Sequence, residues 1–273
     1  MSRLTLFAIP LALLIVGATS AQEPVSYTKP AQTSENSAAN PAMTPRQLAE
    51  MQGDILMARK EYASAVNTYA KILETDTKSP QLYNKVGVAF QQLGDLNRAE
   101  RFYKKAIHAD KNFSSAINNY GTVEYEKKHF GKAITLYKKA LAYHTEPATL
   151  YSNLGYAYFG NKEYPQAMNS FAQALVLDPD IFERKGTGGS VIQQRTSTDP
   201  GLFYFFVAKT YAQNGDAERA AHYLKMARDD GYSSFLSAQT DAGFARVIKD
   251  PRVQEVLQVP PSYAAPARKP DQN

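Results

Sequence analysis

Four histidines are the side chains in this chain best suited to bind a metal ion or to transfer protons: His108, His129, His144 and His222. None of them has a second ligand at the spacing that metal sites use, and the chain contains no cysteine that could supply a thiolate. We therefore expect solvated histidines, no metal site, no disulfide bond and no cofactor.

No other group of residues carries the signature of an active site. The neighbouring carboxylates Asp229 and Asp230 fall at a predicted helix end, where acidic side chains act as caps or are solvated, and no Gly-x-Ser-x-Gly nucleophile motif is present. Gly186, Gly188 and Gly189 form a glycine-rich turn without the Gly-Lys-Ser/Thr ending of a phosphate-binding loop. The sequence therefore predicts a protein that is not an enzyme.

The formal net charge of +5, from 31 Lys and Arg against 26 Asp and Glu, raises the question of a nucleic-acid partner. Lysine pairs such as Lys104-Lys105 and Lys127-Lys128 are interleaved with acidic residues such as Glu100. Charges of mixed sign are typical of a solvated helix face. We predict that nucleic acid is not a partner.

Small and aromatic residues recur every 34 positions, so the elements that carry them must repeat with the same period. Small residues at this spacing fit positions where two helices cross closely. A fifth copy is displaced by an insertion, because Gly155 and Ala208 are 53 positions apart instead of 34. We assign repeat packing to the glycines Gly53, Gly87, Gly121 and Gly155, to the alanines Ala65, Ala99, Ala133, Ala167 and Ala220, and to the aromatic residues Tyr69, Tyr103, Tyr137 and Phe171.

The fullest copy of the pattern runs from Tyr151 to Pro179. With Ala148 as the first position, Leu154 and Gly155 stand at the seventh and eighth, and Phe171 stands at the twenty-fourth. This order resembles the tetratricopeptide repeat, a helix–turn–helix unit with the same period. The resemblance implies an all-α fold, a right-handed superhelical solenoid of about five helical hairpins with a short C-terminal helical cap.

The period divides the chain into repeats 1–4 (46–181), a glycine-rich insertion (182–200), repeat 5 (201–234) and C-terminal capping helices (235–258). The predicted hairpins span Arg46–Ser79, Pro80–Phe113, Ser114–Pro147, Ala148–Ile181 and Gly201–Ser234. The insertion is either a loop accommodated between two repeats or a flap that contacts ligand at the edge of the groove.

The first 21 residues have the layout of a secretory signal peptide. Arg3 precedes the apolar run Leu4–Val16, and small side chains at 18–21 suit cleavage near Gln22. The run is short for a membrane span of about 20 residues, so a membrane is reached only through an uncleaved signal anchor. We expect a periplasmic or secreted protein. Residues 22–43 and 259–273 are predicted to be a disordered linker and tail.

The helix that follows the insertion is apolar on every side over Leu202–Val207. A helix of this composition should be buried on every side, so something must cover the face that would otherwise meet solvent. The nearest cover along the chain is the insertion, and a bound partner is the second.

The resemblance also implies a binding surface, because partner peptides of this family lie along the concave face formed by the first helix of each repeat. Carried over residue by residue, its positions give the peptide-binding candidates Asn84, Gln91, Asn118, Tyr125, Ser152, Tyr156 and Phe159. Amides can pair with a peptide backbone, and rings supply apolar area. The alternative is that the three aromatic residues pack only against neighbouring repeats.

The sequence predicts an exported, non-catalytic scaffold or adaptor that binds a protein or an extended peptide in the concave groove. Two alternatives remain open. The protein is a structural accessory subunit of a cell-envelope complex, acting through its outer faces and ends, or it holds substrate for an envelope enzyme.

Overall fold

The computed structural model describes residues 43–143, 147–183 and 199–258, and the regular structure in these ranges is helical throughout. The predicted all-α solenoid of consecutive helical hairpins is confirmed. Two 3-10 segments, Phe235–Gln239 and Ala242–Phe244, precede the last helix. The helices are α1 Pro45–Ala58, α2 Tyr62–Leu73, α3 Pro80–Gln92, α4 Leu96–Ala109, α5 Ser114–Glu126, α6 Phe130–Leu141, α7 Pro147–Gly160, α8 Tyr164–Leu177, α9 Pro200–Gln213, α10 Ala217–Asp229 and α11 Pro251–Gln258.

Several predicted segments lie outside the described residues: the signal peptide, nearly all of the linker, the insertion from 184 to 198 and the tail. His144 lies outside them as well. In the part of the chain that is described, no helix has the length and apolar character needed to cross a membrane.

The hairpins begin and turn at positions that the sequence marks. Thr44 caps α1, since its hydroxyl accepts the Gln47 N–H while the Gln47 side chain accepts the Thr44 N–H. Between the paired helices one residue adopts the left-handed conformation, and these residues are again 34 apart. They are Lys60, Gly94, Lys128 and Lys162, with φ of 62°, 77°, 63° and 62°.

Each periodic glycine lies against the aromatic ring of its own hairpin. A Cβ atom at Gly87 would stand 2.6 Å from Cε1 of Tyr103, and one at Gly121 would stand 2.7 Å from Cε1 of Tyr137. Both rings are fully buried. The period of 34 thus reflects a contact in which the second helix places a ring where the first helix has no side chain. The alanines of the pattern, Ala65, Ala99, Ala133, Ala167 and Ala220, are also fully buried.

An ion-pair network joins the second and third hairpins. The Glu100 carboxylate on α4 accepts hydrogen bonds from Lys104 and from Lys127, both at 2.6 Å. The Glu124 carboxylate on α5, whose side chain is 1% exposed, lies 2.8 Å from both His129 Nδ1 and Lys132 Nζ. His129, predicted to be solvated, is largely exposed but has this partner. The network therefore adds a polar attachment to the apolar packing between hairpins.

The network makes stability depend on pH. Burial raises the pKa of Glu100, but hydrogen bonds from Lys104 and Lys127 outweigh this effect and lower the pKa from 4.5 to about 2. A carboxyl group whose pKa is lowered by folding stabilises the fold above its unfolded pKa and loses that contribution as the pH falls through its folded pKa. We expect Glu100→Gln to lower the free energy of unfolding by about 1–2 kcal/mol at pH 7.

Between about pH 4.5 and pH 2 this difference from the wild-type protein should disappear. Urea titrations of both proteins across that interval measure it. Glu74→Gln, at an exposed acidic residue on the preceding hairpin, is the control. A destabilisation by Glu100→Gln that stays constant down to pH 2 would contradict the assignment.

The apolar helix α9 is covered in part by the C-terminal segment. The Phe205 ring lies 5.1 Å from the Tyr232 ring and 5.5 Å from the Phe244 ring, measured between centroids. Lys209 of the same helix forms an ion pair of 2.7 Å with Asp241. At Phe205 the cover includes the rings of Tyr232 and Phe244. The expected cover by the insertion falls on residues 184–198, which lie outside the described residues, and it stays a prediction.

Candidate peptide groove

The first helices of the hairpins lie side by side and carry all the predicted peptide-binding residues. Helix α3 contacts α5, and α5 contacts α7, so positions that are equivalent in the repeat follow one another across the surface. Asn84 and Gln91 belong to α3, Asn118 and Tyr125 to α5, and Ser152, Tyr156 and Phe159 to α7.

A chain of hydrogen-bonded amides crosses these three helices. The Asn119 side chain donates to Asn84 Oδ1 at 3.0 Å, and Asn153 donates to Asn118 Oδ1 at 3.0 Å. Asn118 in turn donates to Asn119 Oδ1 at 3.5 Å. Sequence reasoning identified Asn84 and Asn118 but missed Asn119 and Asn153. Both could have been found from the sequence, because Asn119 lies 35 positions after Asn84 and Asn153 lies 35 positions after Asn118, one position more than the repeat length of 34.

Gln91 holds a second polar link between hairpins. Its carbonyl accepts the Tyr103 hydroxyl at 2.7 Å, and its amide donates to Glu126 Oε1 at 2.7 Å. Loss of hydration raises the pKa of the Glu126 carboxyl, and the hydrogen bond from Gln91 opposes that shift. Asn84 and Gln91 both keep part of their side chains in contact with solvent. They are therefore accessible to a partner.

The three aromatic candidates lie inside the stack. Tyr125, Tyr156 and Phe159 are 4%, 3% and 6% exposed. The Tyr125 ring meets Phe130 edge-on at 5.3 Å, and Tyr156 stacks on Phe203 at 5.1 Å. In this structure the rings pack against neighbouring helices, as the alternative interpretation held, and they do not offer apolar area to a peptide. These rings are buried because aromatic residues of the following helices, such as Phe130 and Phe203, pack against them.

The remaining two polar candidates are buried as well. Asn118 is 5% exposed and belongs to the amide chain. Ser152 is fully buried, and its hydroxyl has no hydrogen-bond partner among the described residues. A buried hydroxyl without a partner costs about 1–3 kcal/mol. Of the seven predicted residues, Asn84 and Gln91 are thus the ones that a partner can reach in this structure.

The structure assembles no obvious metal site in the part of the chain it describes. There, no group of three or more histidine, aspartate or glutamate side chains is placed to hold a metal ion. His108 is exposed near the end of α4, and the His222 ring packs edge-on against Tyr223 at 5.2 Å.

Family models match three stretches of the central hairpins. Two models described as tetratricopeptide repeat match residues 80–113 and 148–181, and one described as TPR repeat matches residues 121–162. The chain contains tetratricopeptide repeats. The matches at 80–113 and 148–181 each cover one hairpin, α3–α4 and α7–α8, whereas the match at 121–162 runs from within α5 through α6 and α7.

Solved structures are similar to the chain in fold. The pilF protein of Pseudomonas aeruginosa is 20% identical, with 78% of this chain and 86% of that chain covered and a TM-score of 0.52. MamA from Desulfovibrio magneticus RS-1, from residue 41 to its end, is 19% identical, with 70% and 98% covered and a TM-score of 0.50. At these identities the likeness concerns the fold alone. Comparison with curated proteins finds no match.

Proposed function

We propose that the protein is a non-catalytic scaffold that binds an extended segment of a partner protein along the first helices of its second and third hairpins. The observation that carries this proposal is the chain of amides across α3, α5 and α7. Asn84 ends that chain as an acceptor, and within the described residues its own Nδ2 group makes no hydrogen bond. The group is therefore free to donate to a backbone carbonyl of a peptide.

The proposal includes export. Its support is the sequence of residues 1–21, which has the basic start, apolar run and small residues of a cleaved signal. Partner binding is proposed to take place in the cell envelope or outside the cell.

The test is cross-linking in the native cell, followed by purification of the protein from the envelope fraction. The double variant Asn84→Ala with Gln91→Ala should bind the partner about thirtyfold more weakly, since two polar contacts of about 1 kcal/mol each are removed. The matched control is Asn67→Ala with Gln166→Ala, which removes the same two side-chain types from exposed positions of second helices. An N-terminus near Gln22 is expected for the purified protein.

Two results would contradict the proposal. Equal recovery of partner by the groove variant and by the control would move the binding site off α3. Recovery of a protein that begins at Met1 would exclude cleavage of the signal.

One observation favours the alternative function, a structural subunit that acts through its ends. Helix α1 is the first helix of the described residues, and its apolar side chains Leu48, Met51 and Ile55 are 47%, 43% and 37% exposed. They are spaced by three and four positions and so share one helix face. If Leu48→Ser with Ile55→Ser abolishes partner recovery in the same experiment while the groove variant does not, the accessory-subunit function is the right one.

A further inference from the structure

A cavity of about 520 Å³ lies beside the second hairpin, and none of the hydrogen-bonded amides lines it. Residues of the loop before α3 and one tyrosine of α3 line one part of the cavity, and residues of α4 line the rest. The lining residues are Thr77, Lys78, Tyr83, Lys104, Lys105, His108 and Ala109. Its volume falls within the range of ligand sites, about 300–1,000 Å³.

The aromatic wall of the cavity is held in place. The Tyr83 hydroxyl donates to the Thr77 carbonyl at 2.8 Å, and the Tyr83 ring lies 6.4 Å from the Phe102 ring. The Lys105 ammonium is 5.7 Å from the centroid of Tyr83 and 5.0 Å from that of Phe102. These cation–π contacts keep a positive charge beside an apolar surface.

All the ionisable side chains with a charged form at neutral or mildly acidic pH that line the cavity are basic. Its lining includes Lys78, Lys104, Lys105 and His108 and no acidic residue among those described. Lys104 is paired with Glu100 at 2.6 Å. The other three form no ion pair within the described part of the chain, so the lining itself carries a surplus of positive charge.

We propose that this cavity is a second binding site, and that it takes an acidic segment of a protein partner. Carboxylates of the segment pair with Lys78 and Lys105, and an apolar side chain between them packs on Tyr83 and Ala109. Lysine binds carboxylates as a mobile point charge, which suits a segment of variable conformation. An inorganic anion would satisfy the lysines but would leave the Tyr83 ring without a partner. None of the predicted groove residues lines this site, and the proposal does not rest on the proposed function.

The probe for the test is a fluorescein-labelled Glu-Glu-Leu-Glu-Glu peptide. Its binding is measured by fluorescence anisotropy at about 20 mM and about 150 mM salt, between which the screening of surface charges increases. We expect saturable binding that Lys105→Glu weakens about tenfold, because one attraction becomes a repulsion. The matched control is Lys139→Glu. Lys139 is exposed, occupies the same position one repeat later and does not line the cavity.

The control should bind the peptide within about twofold of wild type, since a remote exposed charge is screened. Tyr83→Ala should weaken binding of this peptide but not of inorganic phosphate, measured by competition. Equal losses from Lys105→Glu and Lys139→Glu would overturn the proposal, because net charge alone would then explain binding. Failure of the wild-type protein to saturate with the peptide, or an unchanged affinity in Tyr83→Ala, would also overturn it.

Discussion

Gly121→Leu is expected to lower the free energy of unfolding by about 3 kcal/mol, close to the upper end of the cost of overpacking a core. A Cβ atom at this position would lie 2.7 Å from the Tyr137 ring, and leucine adds three more carbons beyond it. The ring is fully buried and its hydroxyl is bonded to Thr122 at 3.2 Å, so it cannot swing into solvent. The better helix propensity of leucine, worth about 1 kcal/mol, does not offset the clash.

Thermal and urea unfolding of the purified protein measure this effect. Gly131→Leu is the matched control, since Gly131 lies in α6 of the same hairpin and a Cβ atom there would meet no atom within 4 Å. The control should be as stable as the wild-type protein or up to about 1 kcal/mol more stable. Equal destabilisation by the two substitutions would show that the Gly121–Tyr137 contact does not set the repeat.

The fold could be predicted from the sequence because its defining contact is local. Gly121 and Tyr137 belong to one hairpin and are close in sequence, and the equivalent glycine–aromatic pair occurs in each of the first four repeats. A short-range contact that repeats leaves a period in the sequence, and the stack follows from neighbouring hairpins covering one another. The N-terminal cap of α1 could also be predicted, because Pro45 directly follows Thr44.

Whether each groove position is buried or exposed could not be predicted in the same way. Register places Tyr156 on a first helix, but its burial depends on Phe203, which follows an insertion that breaks the period. The contact between Phe205 and Phe244 likewise joins the fifth repeat to the C-terminal cap, which lies outside the repeat pattern. Long-range contacts of this kind leave no spacing in the sequence. The amides Asn119 and Asn153 were missed for a smaller reason, an offset of 35 in place of 34.

Phe159→Ala is expected to lower the free energy of unfolding by about 3–5 kcal/mol, the range for removing a buried phenylalanine ring. Phe159 is 6% exposed, and its ring meets Tyr164, Phe203 and Phe206 edge-on at 5.5, 5.7 and 5.8 Å. Two of these contacts come from α9, so the loss should loosen the junction between the fourth and fifth hairpins. Urea unfolding followed by circular dichroism measures the loss.

Val176→Ala on α8 is the control for this substitution, because Val176 is 71% exposed and its truncation should change stability by less than about 0.5 kcal/mol. The same samples decide whether Phe159 belongs to the core or to the groove. If the ring is core, the folded fraction of Phe159→Ala keeps wild-type affinity for the cross-linked partner. Full stability combined with lost partner affinity would instead mean that Phe159 turns out of the stack when a partner binds, and the groove would then extend to α7.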